Sequence, residues 1–182
     1  MQKTTEPLYN KEDIIKIQQY LKQTNTRNYI IFILGINSGL RVSDILSLNI
    51  QDIKNKDHII ITEQKTQKTK HFPLNKKLQQ ELFLYTQNKK DTTKPLFMGK
   101  KGKRLSRSQV YRFLNEACKI CGIKSNIGTH TMRKTFGLHH YKQFNDVVML
   151  QKIFNHSSQD ITLRYIGITQ EDINKTYMNF EL

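Results

Sequence analysis

The chain has 182 residues, 37% of them hydrophobic, which suits one domain with a buried core and is too apolar for a disordered chain. Thirty Lys and Arg against 15 Asp and Glu give a formal charge of +15, so the expected partner is a polyanion. No run approaches the roughly 18 apolar residues of a membrane span, and the polar opening Met1-Gln2-Lys3-Thr4-Thr5-Glu6 is unlike a secretory signal. The only cysteines are Cys118 and Cys121, so the chain is read as a soluble, cytoplasmic protein without a disulfide framework or a membrane partner.

Taken in order, Asn10 caps a first helix with an apolar stripe at Ile14, Ile17 and Leu21 and Ile15 beside it. A second helix begins at Thr26, is apolar nearly all round, and ends where Gly39 can take a left-handed cap, which makes it the central core helix. A short helix from Arg41 to Leu48 carries Val42, Ile45 and Leu46, with Asp44 on its exposed side. The β-branched stretch His58 to Thr62 reads as a strand and Lys70 to Leu74 as its return.

Asn75 caps a helix with Leu78, Leu82 and Tyr85 on one face. The stretch from Lys89 to Arg107, with eight basic residues and one acidic, reads as a solvated cationic loop in contact with phosphate backbone. Ser106 opens a helix with Val110, Phe113, Leu114 and Ala117 inward and Gly122 as its stop. Helices over about His130 to Lys142, Asp146 to Phe154 and Ser158 to Ile166 follow, and a last one starts after Thr169. The pattern is mainly α with a small antiparallel β-sheet, without internal repeats.

His130-Thr131-Met132-Arg133 sets a His and an Arg three apart, on one helix face. Arg41 follows the end of the core helix, Lys65-Thr66 sits in the hairpin turn, and His156 precedes Tyr165 by nine positions. In this order, and with the wording Ser38-Gly39-Leu40-Arg41-Val42-Ser43-Asp44 and His130-Thr131-Met132-Arg133-Lys134-Thr135-Phe136, the chain resembles the catalytic domain of the tyrosine recombinase (phage integrase) family. The resemblance spans nearly the whole chain. It implies the tyrosine recombinase catalytic-domain fold and DNA recombination or integration, in which Tyr165 attacks a phosphodiester to give a 3′-phosphotyrosyl link and a free 5′-hydroxyl. It further implies that Arg41, Arg133 and His156 hold the phosphate, His130 is the base and Lys65 the acid.

The chemistry asks for these residue types. A phosphodiester under attack gains negative charge on its non-bridging oxygens, which planar guanidiniums hold through paired hydrogen bonds. A phenol with a pKa of about 10 costs roughly 4 kcal/mol to ionise at pH 7 unless a base takes its proton as the bond forms. The departing oxygen needs a proton, and Lys65 stands among cations that lower an ammonium's pKa. Guanidiniums supply the charge that a metal would supply elsewhere, so no metal or other cofactor is expected. The phosphotyrosyl ester conserves the bond energy, so resealing needs no nucleotide.

Several residues have competing readings. Tyr177 is the alternative nucleophile, and Lys68 and Lys70 share the hairpin with Lys65. Asp44 is read as steadying the short helix and Arg41, without chemistry of its own. Lys134 stands where relatives often have His, and Asn155 where Gly is common, a change that bears on the turn aiming His156. Cys118 and Cys121 read as buried thiols rather than a zinc half-site, because no second pair exists. His139 and His140 read as packing or phosphate contacts.

The family usually carries an N-terminal helical domain ahead of the first Arg, for which the first 40 residues leave no room. The expectation is therefore a single catalytic domain over 1–182 or a fragment of a longer recombinase, with residues 169–182 docking on a neighbour. The expected partners are double-stranded DNA, a tetramer on DNA during synapsis from a monomer in free solution, and an accessory DNA-binding protein. The alternatives are a resolvase or relaxing topoisomerase of the same chemistry, a DNA-binding regulator that does not cleave, and a zinc-dependent nucleic-acid module.

Overall fold

A computed structural model describes residues 5–62, 69–99 and 102–181. Helix α1 (Lys11–Thr24) turns Ile17 and Leu21 inward and leaves Ile15 half exposed. Helix α2 (Thr26–Ser38) is capped by Asn25, whose side chain accepts from the Asn28 amide, and buries every residue from Tyr29 to Leu34. Full burial of each such Ile or Phe contributes about 1.5–3 kcal/mol, so this helix anchors the core. Gly39, at φ 64°, ends it and turns the chain directly into α3 (Val42–Ser47).

Here the structure corrects one expectation. Asp44 does not face solvent: it is completely buried, with a carboxylate oxygen 3.9 Å from an Arg41 guanidinium nitrogen. An acidic residue in the first turn of a helix suits a surface position on the dipole argument alone, but the cation beside it lets this one go inside.

Strands β1 (His58–Thr62) and β2 (Thr69–Pro73) pair antiparallel with Ile59 opposite Phe72 and Ile61 opposite Lys70; the return strand starts one residue earlier than expected. Ile59 and Ile61 point to the core and Ile60 outward, the period of two that a half-buried strand requires. Asn75 caps α4 (Lys76–Thr86) by accepting from the Leu78 amide.

The cationic loop is less solvated than its composition suggests. Leu96, Phe97 and Leu105 are buried, and the Arg104 guanidinium donates to the carbonyls of Leu46 and Leu48 and to Asn49 Oδ1 at 2.7–3.1 Å. Arg27 donates to the Met98 carbonyl at 2.7 Å. The loop is thus fastened to α2 and α3, because three apolar residues among the charges suffice to pull it onto the core.

Ser106 and Gln109 form a capping box at the start of α5 (Arg107–Ile120). Helix α6 (Thr131–Phe144) crosses α2 closely, since a Cβ on Gly35 would lie 2.7 Å from the Met132 sulfur. Helices α7 (Val147–Phe154), α8 (Gln159–Ile166) and α9 (Gln170–Met178) follow, with side-chain caps from Asp146, Ser158 and Thr169. Leu138, Leu150, Phe154 and Ile166 form a second, smaller core beneath α6, α7 and α8. The N-terminal segment lies along α6: the Leu8 amide donates to Thr135 Oγ1, and His139 Nε2 pairs with the Leu8 carbonyl, both at 2.9 Å. Among the described residues no helix is long and apolar enough to cross a membrane.

Candidate active site

Five of the six residues singled out by the sequence lie among the described residues, on four separate pieces of chain. Arg41 stands at the junction of α2 and α3, His130 and Arg133 at the start of α6, His156 in the turn after α7 and Tyr165 in α8. Lys65 lies outside the described residues.

Arg133 organises the others. It is only 3% exposed and donates from Nη1 to the Gly39 carbonyl at 2.5 Å and from Nη2 to the Phe154 carbonyl at 2.9 Å, with its guanidinium carbon 4.4 Å above the Phe154 ring. Gly39 is two residues before Arg41 and Phe154 two before His156. One side chain therefore fixes both turns that present the other phosphate-binding candidates.

The nucleophile candidate and its base meet directly. His130 Nδ1 is 3.2 Å from Tyr165 Oη, and the two rings stand edge to face with centroids 6.3 Å apart. With Nδ1 unprotonated the phenol donates and the imidazole accepts, the geometry a general base needs. Burial pushes the Tyr165 phenol above its ordinary pKa, while the charges of Arg133 and Arg41 pull against that rise. His130 is exposed and is the residue immediately before α6, so it opens the helix rather than riding within it.

His156 packs against Tyr165, ring centroids 5.1 Å apart, and its Nδ1 lies 3.1 Å from Thr162 Oγ1. Thr162 itself donates to the Ser158 carbonyl at 3.0 Å, so its oxygen faces the imidazole as acceptor. Burial, then Arg133, Arg41 and Lys70, lower the His156 pKa to about 4. Asn155 takes the left-handed conformation, φ 53° and ψ 47°, that a Gly at this place would take; Asn visits this region more readily than other side chains, and the turn to His156 is kept. Lys70 donates to the Ile153 carbonyl at 2.5 Å, which ties the hairpin to the end of α7.

A groove of about 680 Å³ leads to this cluster, lined by Arg41, Ser43, Ser47, Arg104, Arg107 and His130, with no carboxylate in its wall. Such a wall favours an extended phosphate-bearing ligand. Tyr177, the alternative nucleophile, is 78% exposed on α9. Burial raises the Cys118 thiol to about 12, which suits neither metal ligation nor redox work, and no group of three or more metal-ligating residues occurs among the described residues.

The model of the phage integrase family matches residues 8–172. The chain belongs to the phage integrase family. This tyrosine recombinase, an enzyme of the class that breaks and rejoins DNA, is 45% identical over 175 residues to the probable integrase/recombinase YoeC of Bacillus subtilis, with 96% of each chain covered. Among solved structures it superposes on the XerA recombinase with a TM-score of 0.78 at 20% identity, covering 99% of this chain and 68% of that one. It superposes on a lambda integrase tetramer bound to a Holliday junction with a TM-score of 0.72 at 17% identity, covering 92% of this chain and 50% of that one. The chain spans between 50% and 65% of the length of several further tyrosine recombinases it matches.

Sequence reasoning sets Asp44 beside Arg41 but on the exposed side, and it gives Lys134 no role at the recombinase's site. Asp44 backs Arg41 from inside, and Lys134, just after Arg133, reaches over the Tyr165 ring at 5.1 Å. The spacing of Arg41 and Asp44, three apart on a short helix, was the available signal for the first. Nothing in the spacing announces the second, because Lys134 and Tyr165 are 31 positions apart.

Proposed function

We propose that this chain carries out site-specific cleavage and rejoining of double-stranded DNA with Tyr165 as the nucleophile. The single observation that carries this reading is the 3.2 Å approach of His130 Nδ1 to Tyr165 Oη, in a pocket flanked by His156 and held together by Arg133. The phenol oxygen forms a bond to phosphorus, its proton passes to His130, and the bond from phosphorus to the 5′-oxygen breaks. Arg41 and Arg133 hold the non-bridging oxygens, His156 joins them once the charge of the bound phosphate has raised its pKa and protonated Nε2, and Lys65 protonates the leaving 5′-oxygen. The 5′-hydroxyl of a second strand then reverses the step, with no nucleotide, metal or other cofactor taking part.

The groove and the net charge of +15 support a duplex as the ligand, with Arg104 and Arg107 on its backbone. On DNA the recombinase assembles as a tetramer from a monomer in free solution, the C-terminal residues 169–182 of each copy docking on the next. Met178 and Phe180, 84% and 68% exposed, supply an apolar surface for that contact. An accessory DNA-binding protein adds grip, and the site of action is the cytoplasm.

The test is a denaturant-resistant protein–DNA adduct on a nicked suicide substrate bearing the attachment-type site. Wild type and Tyr177→Phe form it and Tyr165→Phe does not. An adduct that survives Tyr165→Phe and vanishes in Tyr177→Phe overturns the assignment, and no adduct with any variant favours a regulator that does not cleave.

A further inference from the structure

Lys134 is an unusual lysine. It sits in the first turn of α6 with only 9% of its surface exposed, and its ammonium lies 5.1 Å from the centre of the Tyr165 ring. Among the described residues no carboxylate stands within ion-pair distance of it. Burying a cation without an anion is costly, and a lysine stem long enough to reach water normally keeps its charge there. Here the charge is turned toward an aromatic face instead, and that face belongs to the residue that must become an anion.

We propose that Lys134 is a positioning residue for the nucleophile, holding the Tyr165 ring and favouring its phenolate through a cation laid on the ring. The inference rests on Tyr165 being the attacking residue, as set out above. A cation over a neutral phenol is drawn to the negative face of the ring; once the phenol loses its proton to His130, negative charge spreads into the ring and the attraction grows. An interaction stronger in the transition state than in the ground state accelerates the step rather than merely tightening binding. The proton still goes from Tyr165 Oη to His130, the bond to phosphorus still forms at Oη, and Lys134 exchanges no proton with either.

The surrounding groups make this contribution separable. Arg133 from α6, Arg41 from the α2–α3 junction and His156 from the turn after α7 face the phenol, and Lys70 of β2 acts on His156. Glu6 of the N-terminal segment is the one acidic group acting on Lys134, and it works against the burial that lowers the lysine's pKa. The guanidiniums serve the phosphate as well as the phenol, whereas the contact of Lys134 on α8 is with the Tyr165 ring. Its removal therefore alters the nucleophile while leaving the phosphate clamp in place.

The experiment compares wild type, Lys134→Met and Lys134→Arg for the rate of covalent adduct formation on the suicide substrate, at saturating DNA from pH 6 to 10. Methionine keeps the apolar stem and removes the charge; arginine keeps the charge. A cation on an aromatic ring in a desolvated site is worth roughly a tenfold change in an equilibrium, so Lys134→Met slows the adduct about tenfold at pH 7. The deficit narrows toward pH 10, because burial lowers the Lys134 pKa and the wild type then loses the same charge, so the two rate–pH curves differ in shape. Lys134→Arg recovers most of the rate. A rate–pH curve of unchanged shape in Lys134→Met, or a uniform loss that Lys134→Arg does not repair, overturns the proposal and leaves Lys134 as packing. Failure of wild type to form an adduct at all, or formation by Tyr165→Phe, condemns the nucleophile assignment instead.

Discussion

The charge state of His156 decides what it can offer a phosphate. With its pKa held at about 4 by burial and by the cations Arg133, Arg41 and Lys70, it is neutral at pH 7 in the DNA-free protein. A base whose folded pKa lies below its unfolded value of about 6.5 stabilises the fold fully above pH 6.5, and that stability is lost as pH falls toward 4. Urea unfolding of the DNA-free chain should show a loss of up to about 3 kcal/mol across this window, and His156→Asn should flatten that part of the curve. A slope unchanged by the substitution contradicts the assignment. Residue types were the most legible part of the site: two arginines, two histidines and a tyrosine in family order point to five positions that the fold brings together. Burial was not legible, because Asp44 and Lys134 are ordinary surface residues by type, and only the packed elements show one beneath Arg41 and the other over Tyr165.

At the scale of elements, the site depends on how closely α8 approaches α6. A Cβ added at Gly137 would lie 2.7 Å from Ile166 Cγ2 and from two carbons of the Phe154 ring, so this glycine permits the contact. Gly137→Ala forces α8 and the end of α7 outward, at about 1–3 kcal/mol of overpacking. Tyr165 moves with α8, and a displacement near 1 Å at a reacting group costs on the order of 100-fold in rate. Adduct formation should therefore fall steeply in this variant while duplex binding by gel shift stays within about twofold; equal losses in both place the fault in folding rather than in alignment. The elements were largely written in local signals. Asn75, Ser106, Ser158 and Thr169 cap the helices they precede, and Gly39 closes α2 in the left-handed region. The loop from Lys89 to Arg107 was read less well, since Arg104 and Arg27 spend donors on backbone carbonyls that only the fold brings near.

For the whole molecule, a charge of +15 on 182 residues makes duplex binding largely a matter of releasing counterions. Neutralising about six phosphates weakens binding roughly 10³-fold between 50 and 200 mM salt, so affinity for random duplex measured by fluorescence anisotropy should fall at least that steeply. A flat response means that the basic surface does not meet the backbone. The convergence of four chain segments at one site is the feature that local spacing could not provide, since His130 and Tyr165 are 35 positions apart and only the α6–α8 contact unites them. The most direct measurement is therefore to trap the covalent complex, digest it with trypsin and locate the nucleotide by mass spectrometry. Cleavage after Arg164 and Lys175 separates the peptide Tyr165–Lys175 from the one carrying Tyr177. The nucleotide is predicted on Tyr165; a nucleotide on Tyr177, or on a serine elsewhere, contradicts the account.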